Sequence, residues 1–550
     1  MKFPEKKELL NFYQGIRDKC FASRNERAER YDMYRAYYLR GSVENDCGGF
    51  NKIYPHIDQL TSFMYSQETT KFAVTIGANV SSSELGKVPA LNQAVNDEWH
   101  SSNGDIVFGM CLTWAFVYGT ELIKLRWNKE QVEPFPVDPR NFGVYREDVQ
   151  GLHRQEAVAH EYHVPRSQLE RELQDHPRKA DILSKLTFSA IPAQEQSSTM
   201  SEVVITATQP QITGDVNFDL NSSIDYMPIV KEDMAKLCEL YIWDDDESDY
   251  RVVTMGDPTV LIYDRCQGEA HLFVKAELPF IQVCPTPTPG YFWGIAEVER
   301  LKDIQELRNK RMRQIDHMME LQAEPPVYAS GFDGDVSEMQ TSMNTPGGMV
   351  NTENMGAKLD KVSPTIPDDM FKEITQYDMM FEEMSGITNV MQGRGEAGVR
   401  SQSHASKLAQ LGSSRAKKRA LIVEDCLEKM ATLYLHILKV YDGENSYRSE
   451  DGTEFIAQQF TKDFVVKVDS HSNSPIFAED QRAMAFELFK AKAITREKLL
   501  ELLDVPMKQL LKQDLKNKIE PAEAKAAQQQ LAAEAQGKAA KHGKPARPNA

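Results

Sequence analysis

YFWGIAEVERLKDIQELRNKRMRQIDHMMELQAEPP, residues 291–326, is the stretch on which the architecture turns. From Ile295 to Ala323 no glycine or proline interrupts it, which predicts one helix of about thirty residues reaching roughly 45 Å at ~1.5 Å per residue. Ile295, Val298, Leu301, Ile304, Leu307, Met312, Ile315 and Met319 fall at helical spacing and form one apolar stripe. Around it stand six acids (Glu297, Glu299, Asp303, Glu306, Asp316, Glu320) and six bases (Arg300, Lys302, Arg308, Lys310, Arg311, Arg313). The helix needs neighbours on one side and tolerates charge on the other, which periodicity alone assigns to a coiled coil or a domain-spanning helix.

The helix is approached through prolines 279, 285, 287 and 289 and stopped by Pro325-Pro326, where the hydrogen-bond ladder cannot continue. Residues 327–364 are rich in Gly, Met, Asn and Ser, a composition of small strands and turns. DDMFKEITQYDMMFEEMSGITNVM, residues 368–391, predicts a returning helix, QGRGEAGVRSQSH a loop, and residues 405–441 a second very long helix.

On the N-terminal side, residues 5–40 predict an amphipathic helix or helix pair, and residues 51–76 a helix with Pro55 in its first turn followed by the strand FAVTI. IVFGMCLTWAFVYGT, residues 106–120, is shorter than the ~20 apolar residues that span a bilayer and is expected to be a buried helix. ELIKLRWN predicts a strand, and prolines 134, 136 and 139 an elbow after it. Residues 187–228 form a polar Ser/Thr-rich insertion expected to be mobile. CELYIWDDDESDYRVVTM and TVLIYDRC predict a hairpin-rich β region, with the acids at 244–249 in a solvated turn. DFVVKVD predicts a late strand, residues 478–516 helix, and the basic tail 521–550 disorder. The fold class expected is α+β, predominantly helical.

The 550 residues carry 82 acids against 64 bases, a net charge of -18, and the hydrophobic fraction of 41% excludes a disordered chain. Such a charge also argues against a surface that grips nucleic acid everywhere. Seven dispersed cysteines without a CxxC pair exclude a disulfide framework or zinc ribbon and point to a reducing compartment. The N-terminus has no secretory signal pattern.

Catalytic signatures are lacking. There is no GxxxxGK[ST] and no GxSxG, and His153, His160 and His163 do not form HExxH, so they are expected on the surface. Gly393, Gly395 and Gly398 match GxGxxG, but a helix precedes them where a dinucleotide site needs a strand, so a flexible loop is the better interpretation. No catalytic residue, metal ligand or cofactor is assigned. The positive signal is charge. From Gly393 to Ala420 there are seven bases (Arg394, Arg400, Lys407, Arg415, Lys417, Lys418, Arg419) and one acid, Glu396. Such a cluster suits phosphate and equally suits a solvated helix start.

The order of these parts resembles the portal proteins of tailed double-stranded DNA bacteriophages. The resemblance lies in the Pro-rich approach to YFWGIAEVERLKDIQELRNKRMRQIDHMMELQAEPPV, the small β insertion, the helix ending EEMSGITNVMQG, the loop and the long basic-to-apolar helix. WAFVYGTELIKLRWN followed by PFPVDPRNFGVY is also similar to part of the family's wing. The similarity covers roughly residues 10–510.

The resemblance implies a ring of twelve subunits at one capsid vertex, with a central channel for packaging and ejecting DNA. Residues 1–291 would be the wing, 292–324 and 363–392 the stem helices, and 325–362 the clip. Residues 393–404 would be the tunnel loop, 405–441 the long wing helix, and 442–520 the end of the wing and the crown. Arg394, Glu396, Arg400 and Ser401 would face DNA, with Lys407, Arg415, Lys417, Lys418 and Arg419 available to phosphate. Val327, Tyr328, Phe332, Asp333 and Asp335 would form the docking surface of the clip.

The implied partners are further copies of the chain, double-stranded DNA without sequence specificity, the terminase large subunit, head-tail adaptor or tail proteins, and major capsid and scaffold proteins, without membrane insertion. The implied location is the virion, with assembly in the host cytoplasm. The competing classes are a divalent-metal DNA-processing enzyme built on the acidic clusters and a monomeric coiled-coil adaptor.

Overall fold

The computed structural model describes residues 1–43, 50–65, 72–76, 87–190, 233–323, 327–331, 358–361, 365–385, 414–448, 454–456, 464–468 and 484–500, less a few positions within those ranges, and isolated residues beyond them. Most of the expected insertion, the loop at 393–404 and the tail at 521–550 lie outside the described residues. Met1–Asn473 forms one compact unit. In a second, Ser474–Ala550, residues 484–490 are helical.

The first unit begins with α1 (Leu9–Cys20), α2 (Arg24–Arg40), α3 (Ile53–Met64), β1 (Phe72–Ile76), α4 (Val88–Ser101) and α5 (Gly104–Tyr118). There follow β2 (Glu121–Trp127), β3 (Val132–Val137), β4 (Phe142–Val144), β5 (Ala157–Pro165), α6 (Arg166–Glu172), α7 (Lys179–Lys185) and β6 (Phe188–Ala190). Next come β7 (Asp233–Asp244), β8 (Asp249–Gly256), β9 (Val260–Cys266) and β10 (Phe280–Val283). The long helices α8 (Glu297–Ala323), α9 (Asp368–Ser385) and α10 (Ser414–Tyr441) are accompanied by β11 (Val327–Ser330), β12 (Lys358–Lys361), β13 (Ser446–Arg448), β14 (Glu454–Ile456) and β15 (Phe464–Val468). The fold is α+β.

Alternation along the strands builds the main antiparallel sheet, ordered β4-β5-β7-β8-β9 with β6 pairing β7. Ala157, Ala159, Leu240, Ile242 and Val253 point to one face and meet Tyr13, Ile16 and Cys20 of α1. Val158, Tyr241 and Val252, aligned across the same three strands, point to the other and pack with Phe142, Phe280, Phe292 and Trp293. That second core sits under the turn that enters α8. A smaller sheet, β10-β2-β3, lies on this side and carries α5.

The helical layer is organised around Asp105, in the first turn of α5, where a carboxylate complements the helix dipole. It accepts hydrogen bonds from Trp99 Nε1 at 2.7 Å and Tyr65 at 2.9 Å, so a buried acid fixes α3, α4 and α5 together. Tyr434 of α10 closes the layer, 3.1 Å from Ser102 and 5.8 Å between ring centres from Trp99.

Five sequence-based expectations change. Pro134 and Pro136 lie inside β3 and do not form an elbow; β3 is an edge strand, where a missing N–H leaves no ladder bond unmade. The helix at 106–120, expected to be buried, leaves Ile106 and Met110 exposed, because no described element of the chain covers that edge of α5. His160, expected on the surface, is buried on β5 and stacks on Tyr162 at 5.2 Å. Burial, reinforced by the Lys124 ammonium, pushes its pKa down to about 3, so it is neutral. The acidic turn is only partly solvated: Asp249 is buried and accepts the backbone N–H groups of Gly268 at 2.7 Å and Ala276 at 2.8 Å. The apolar stripe of the long helix is covered at Val298, Leu301, Ile304 and Ile315 and open at Ile295, Leu307 and Met319.

Entry into α8 depends on Gly294, whose φ of +66° is the left-handed conformation open to glycine. A Cβ there would lie 2.5 Å from Cys284 Sγ and 2.9 Å from the carbonyl oxygen of Gly119. Gly294→Ala is therefore expected to destabilise the unit by about 2–3 kcal/mol, combining left-handed strain with overpacking. A drop in the urea unfolding midpoint at unchanged m-value reads it.

Candidate functional site

The site is the pair α8 and α9 together with the helix ends that meet at its head. Two charge contacts fix the pairing. Arg308 Nε donates to Asp378 Oδ1 at 2.9 Å, and Arg311 lies 2.6 Å from Glu373. Numbers rise along α8 as they fall along α9, so the helices are antiparallel. Lys52, preceding α3, reaches the same Asp378 at 2.6 Å, and Tyr377 donates to Glu373 at 2.6 Å. Beyond the far end of the pair, β11 and β12 form an antiparallel ladder with Val327 opposite Lys361 and Tyr328 opposite Asp360.

Each pair of this kind is worth ~0–1 kcal/mol near the surface, so the contacts set register more than stability. Burial at the upper half of α8 is uneven in chemistry. Gln305 and Asn309 are buried, and Gln305 Nε2 donates to Asn309 Oδ1 at 2.8 Å while Asn309 Nδ2 donates to the Gly41 carbonyl at 2.8 Å. These amides tie the helix to the end of α2. Several apolar side chains of the pair are nevertheless exposed: Phe371, Met379, Met380 and Met384 on α9 and Leu307 and Met319 on α8.

At the head, Glu297 opens α8 and is 1% exposed. Its Oε2 accepts from Arg419 of α10 at 2.8 Å and lies 3.6 Å from Arg300. Its Oε1 is 3.7 Å from His56 Nε2 of α3, and neither atom has a hydrogen-bond partner. The His56 ring meets Phe381 of α9 edge-on at 5.8 Å. Burial opposes ionisation of Glu297, but His56, Arg419 and Arg300 outweigh it and hold the carboxyl below its usual range.

The residues singled out from sequence scatter with respect to this site. Arg394, Glu396, Arg400, Ser401 and Lys407 lie outside the described residues, as do Phe332 and Asp333. Arg415 and Lys417 belong to the first turn of α10, Lys418 is exposed there, and Arg419 is committed to Glu297 with its guanidinium 6.0 Å above the Phe116 ring. Val327 and Tyr328 are in β11, and Asp335 is exposed. Sequence reasoning missed His56, Glu297 and Asp378. Glu297 alone left a trace, as an acid at the first position of a helix. Among the described residues no group of His, Cys, Asp or Glu is arranged to hold a metal ion.

An antiparallel pair of long helices, a β ladder beyond its end, and a third long helix returning into an α+β body make up an architecture whose family can be tested directly. A family model described as the phage SU10 portal protein matches residues 81–469, well over half of the chain, and the chain belongs to that family. It is a phage portal protein by family, a class of structural virion components. No curated protein matches it.

Proposed function

We propose that copies of this chain close into a ring of twelve at one capsid vertex and form the channel through which double-stranded DNA is packaged and ejected. In this ring α8 and α9 are the stem, residues 325–362 the clip, 393–404 the tunnel loop, 405–441 the long wing helix, and 442–520 the end of the wing and the crown. The observation that carries the proposal is the number of exposed apolar side chains along the helix pair. Phe371, Met379, Met380, Met384, Leu307 and Met319 are 45–57% exposed, and neighbouring copies, isologous or head-to-tail, are the usual cover for so many exposed apolar side chains. Head-to-tail contacts that close by rotation give a ring.

The electrostatics support a conduit. A net charge of -18 keeps DNA from adhering to the whole surface, whereas Arg415, Lys417 and Lys418 add positive charge at the N-terminal end of α10, a combination that suits an external anion. Lys418 is exposed and suits a phosphate contact without sequence readout. The clip, including Val327, Tyr328 and Asp335, docks the terminase large subunit and later the head-tail adaptors, and the wing meets capsid and scaffold proteins. The protein has no catalytic role and takes no cofactor, and the motor activity belongs to its partners. No helix among the described residues is long and apolar enough to cross a membrane.

End-on electron microscopy of the purified protein tests the ring. About twelve lobes around a hole wide enough for a ~20 Å duplex are expected, and monomers that persist in the presence of scaffold overturn the assignment. Replacing Arg394 and Arg400 together with alanine is expected to leave the ring intact and reduce the DNA retained per particle, and unchanged retention removes the tunnel loop from DNA contact.

A further inference from the structure

We propose that Glu297 is a positioning residue, the latch that holds the start of α10 against the start of α8. One carboxylate collects contacts from three helices and, through His56, a fourth. Oε2 grips Arg419 of α10, Oε1 faces His56 of α3, and His56 lies against Phe381 near the end of α9. Two of the elements so gathered, the end of α9 and the start of α10, are the described helix ends on either side of residues 386–413.

The latch is not fully closed. Glu297 Oε1 and His56 Nε2 are 1% and 4% exposed at the side-chain level, stand 3.7 Å apart and have no other partner. Closing that gap to an ordinary ~3.0 Å hydrogen bond satisfies both atoms, and leaving two buried polar atoms unmade is costly. The groups facing the carboxylate are His56 from α3, Arg419 from α10 and Arg300 from α8 itself, with Phe381 as the apolar wall. Because the folded carboxyl titrates below its ordinary value of 4.5, the contribution of the latch is complete above about 4.5 and is lost as pH falls through the lower folded value.

Hydrogen exchange on the full chain tests the latch. Glu297→Gln keeps the shape and removes the charge, and is expected to speed amide exchange in the first two turns of α10 at least tenfold while β5, β7 and β8 keep their protection. Arg419→Met is expected to do the same, and the double variant to add little to either, the mark of one shared contact. In the wild type the same local opening is expected on acidification below about 4.5, and in Glu297→Gln this pH dependence disappears. Unchanged exchange in both single variants, or full additivity in the double, overturns the latch.

Its bearing on DNA passage rests on the portal function proposed above, and a separate readout decides it. Particles assembled with Glu297→Gln are expected to hold less DNA than wild type. Normal filling by particles whose α10 opens faster leaves the latch standing and removes it from DNA passage, whereas rings that fail to form implicate assembly.

Discussion

Arg27→Ala is expected to lower the unfolding free energy by about 3–5 kcal/mol, the range for disrupting a buried charged hub. Arg27 is 1% exposed on α2 and is used on every side. Nη1 donates to the Pro139 carbonyl at 3.1 Å, Nη2 to the Phe142 carbonyl at 3.3 Å, and Nε to Ser23 at 3.1 Å. Its guanidinium lies 3.8 Å above the Trp293 ring, and Trp293 belongs to the turn that launches α8. Alanine leaves two carbonyls without donors and a void under the indole. Arg27→Met fills most of the void and is expected to recover about half of the loss. Urea denaturation of both variants measures the difference, and equal midpoints for wild type and Arg27→Ala would sink the assignment. Because the hub joins α2 to the root of α8, the alanine variant is also expected to loosen the long helix before the sheet.

Glu161→Gln is expected to cost about 2–4 kcal/mol. The carboxylate is 3% exposed on β5 and receives Arg17 of α1 at 3.0 Å, Lys236 of β7 at 3.1 Å and Arg24 of α2. Neutralising it leaves three cations crowded together. The figure falls below the ~3–5 kcal/mol of a fully buried pair because those cations keep part of their surface in water. Burial opposes ionisation here, yet Arg24, Lys236 and Arg17 outweigh it and hold the carboxyl below its ordinary range. Its stabilising contribution is therefore present above about 4.5 and lost as pH falls through the lower folded value. Denaturation at pH 7 and at pH 3 checks this: the gap between wild type and Glu161→Gln should narrow in acid, and a constant gap would count against the charge cluster.

Much of this architecture was legible because its signals are local. The long helix, the hairpins around residues 244–249 and the pair of N-terminal helices each follow from periodicity and turn residues within a single window. The α8 start falls two residues later than the apolar pattern suggests, since Gly294 takes a left-handed turn first. What sequence could not supply was the meeting of distant charges. Glu297 and Arg419 are 122 positions apart, and Arg308 and Asp378 are 70 apart, so nothing in the intervening residues announces either pair. Burial of His160 was equally hidden: β5 is covered on both faces, by α1 on one and by the Phe280 and Tyr241 side on the other, so polar residues on it are enclosed along with its apolar ones.

Most of the exposed apolar side chains on α9 are thioethers. Met379, Met380 and Met384 are 57%, 50% and 48% exposed, and each thioether is open to oxidation to a sulfoxide, a change from a pliant apolar side chain to a polar one. In the ring proposed above, a neighbouring copy that covered these residues would keep oxidants from them. On that proposal the interval between synthesis and assembly would be the vulnerable one: association would depend on how oxidising the surroundings are then, and the assembled particle would tolerate conditions that free subunits do not.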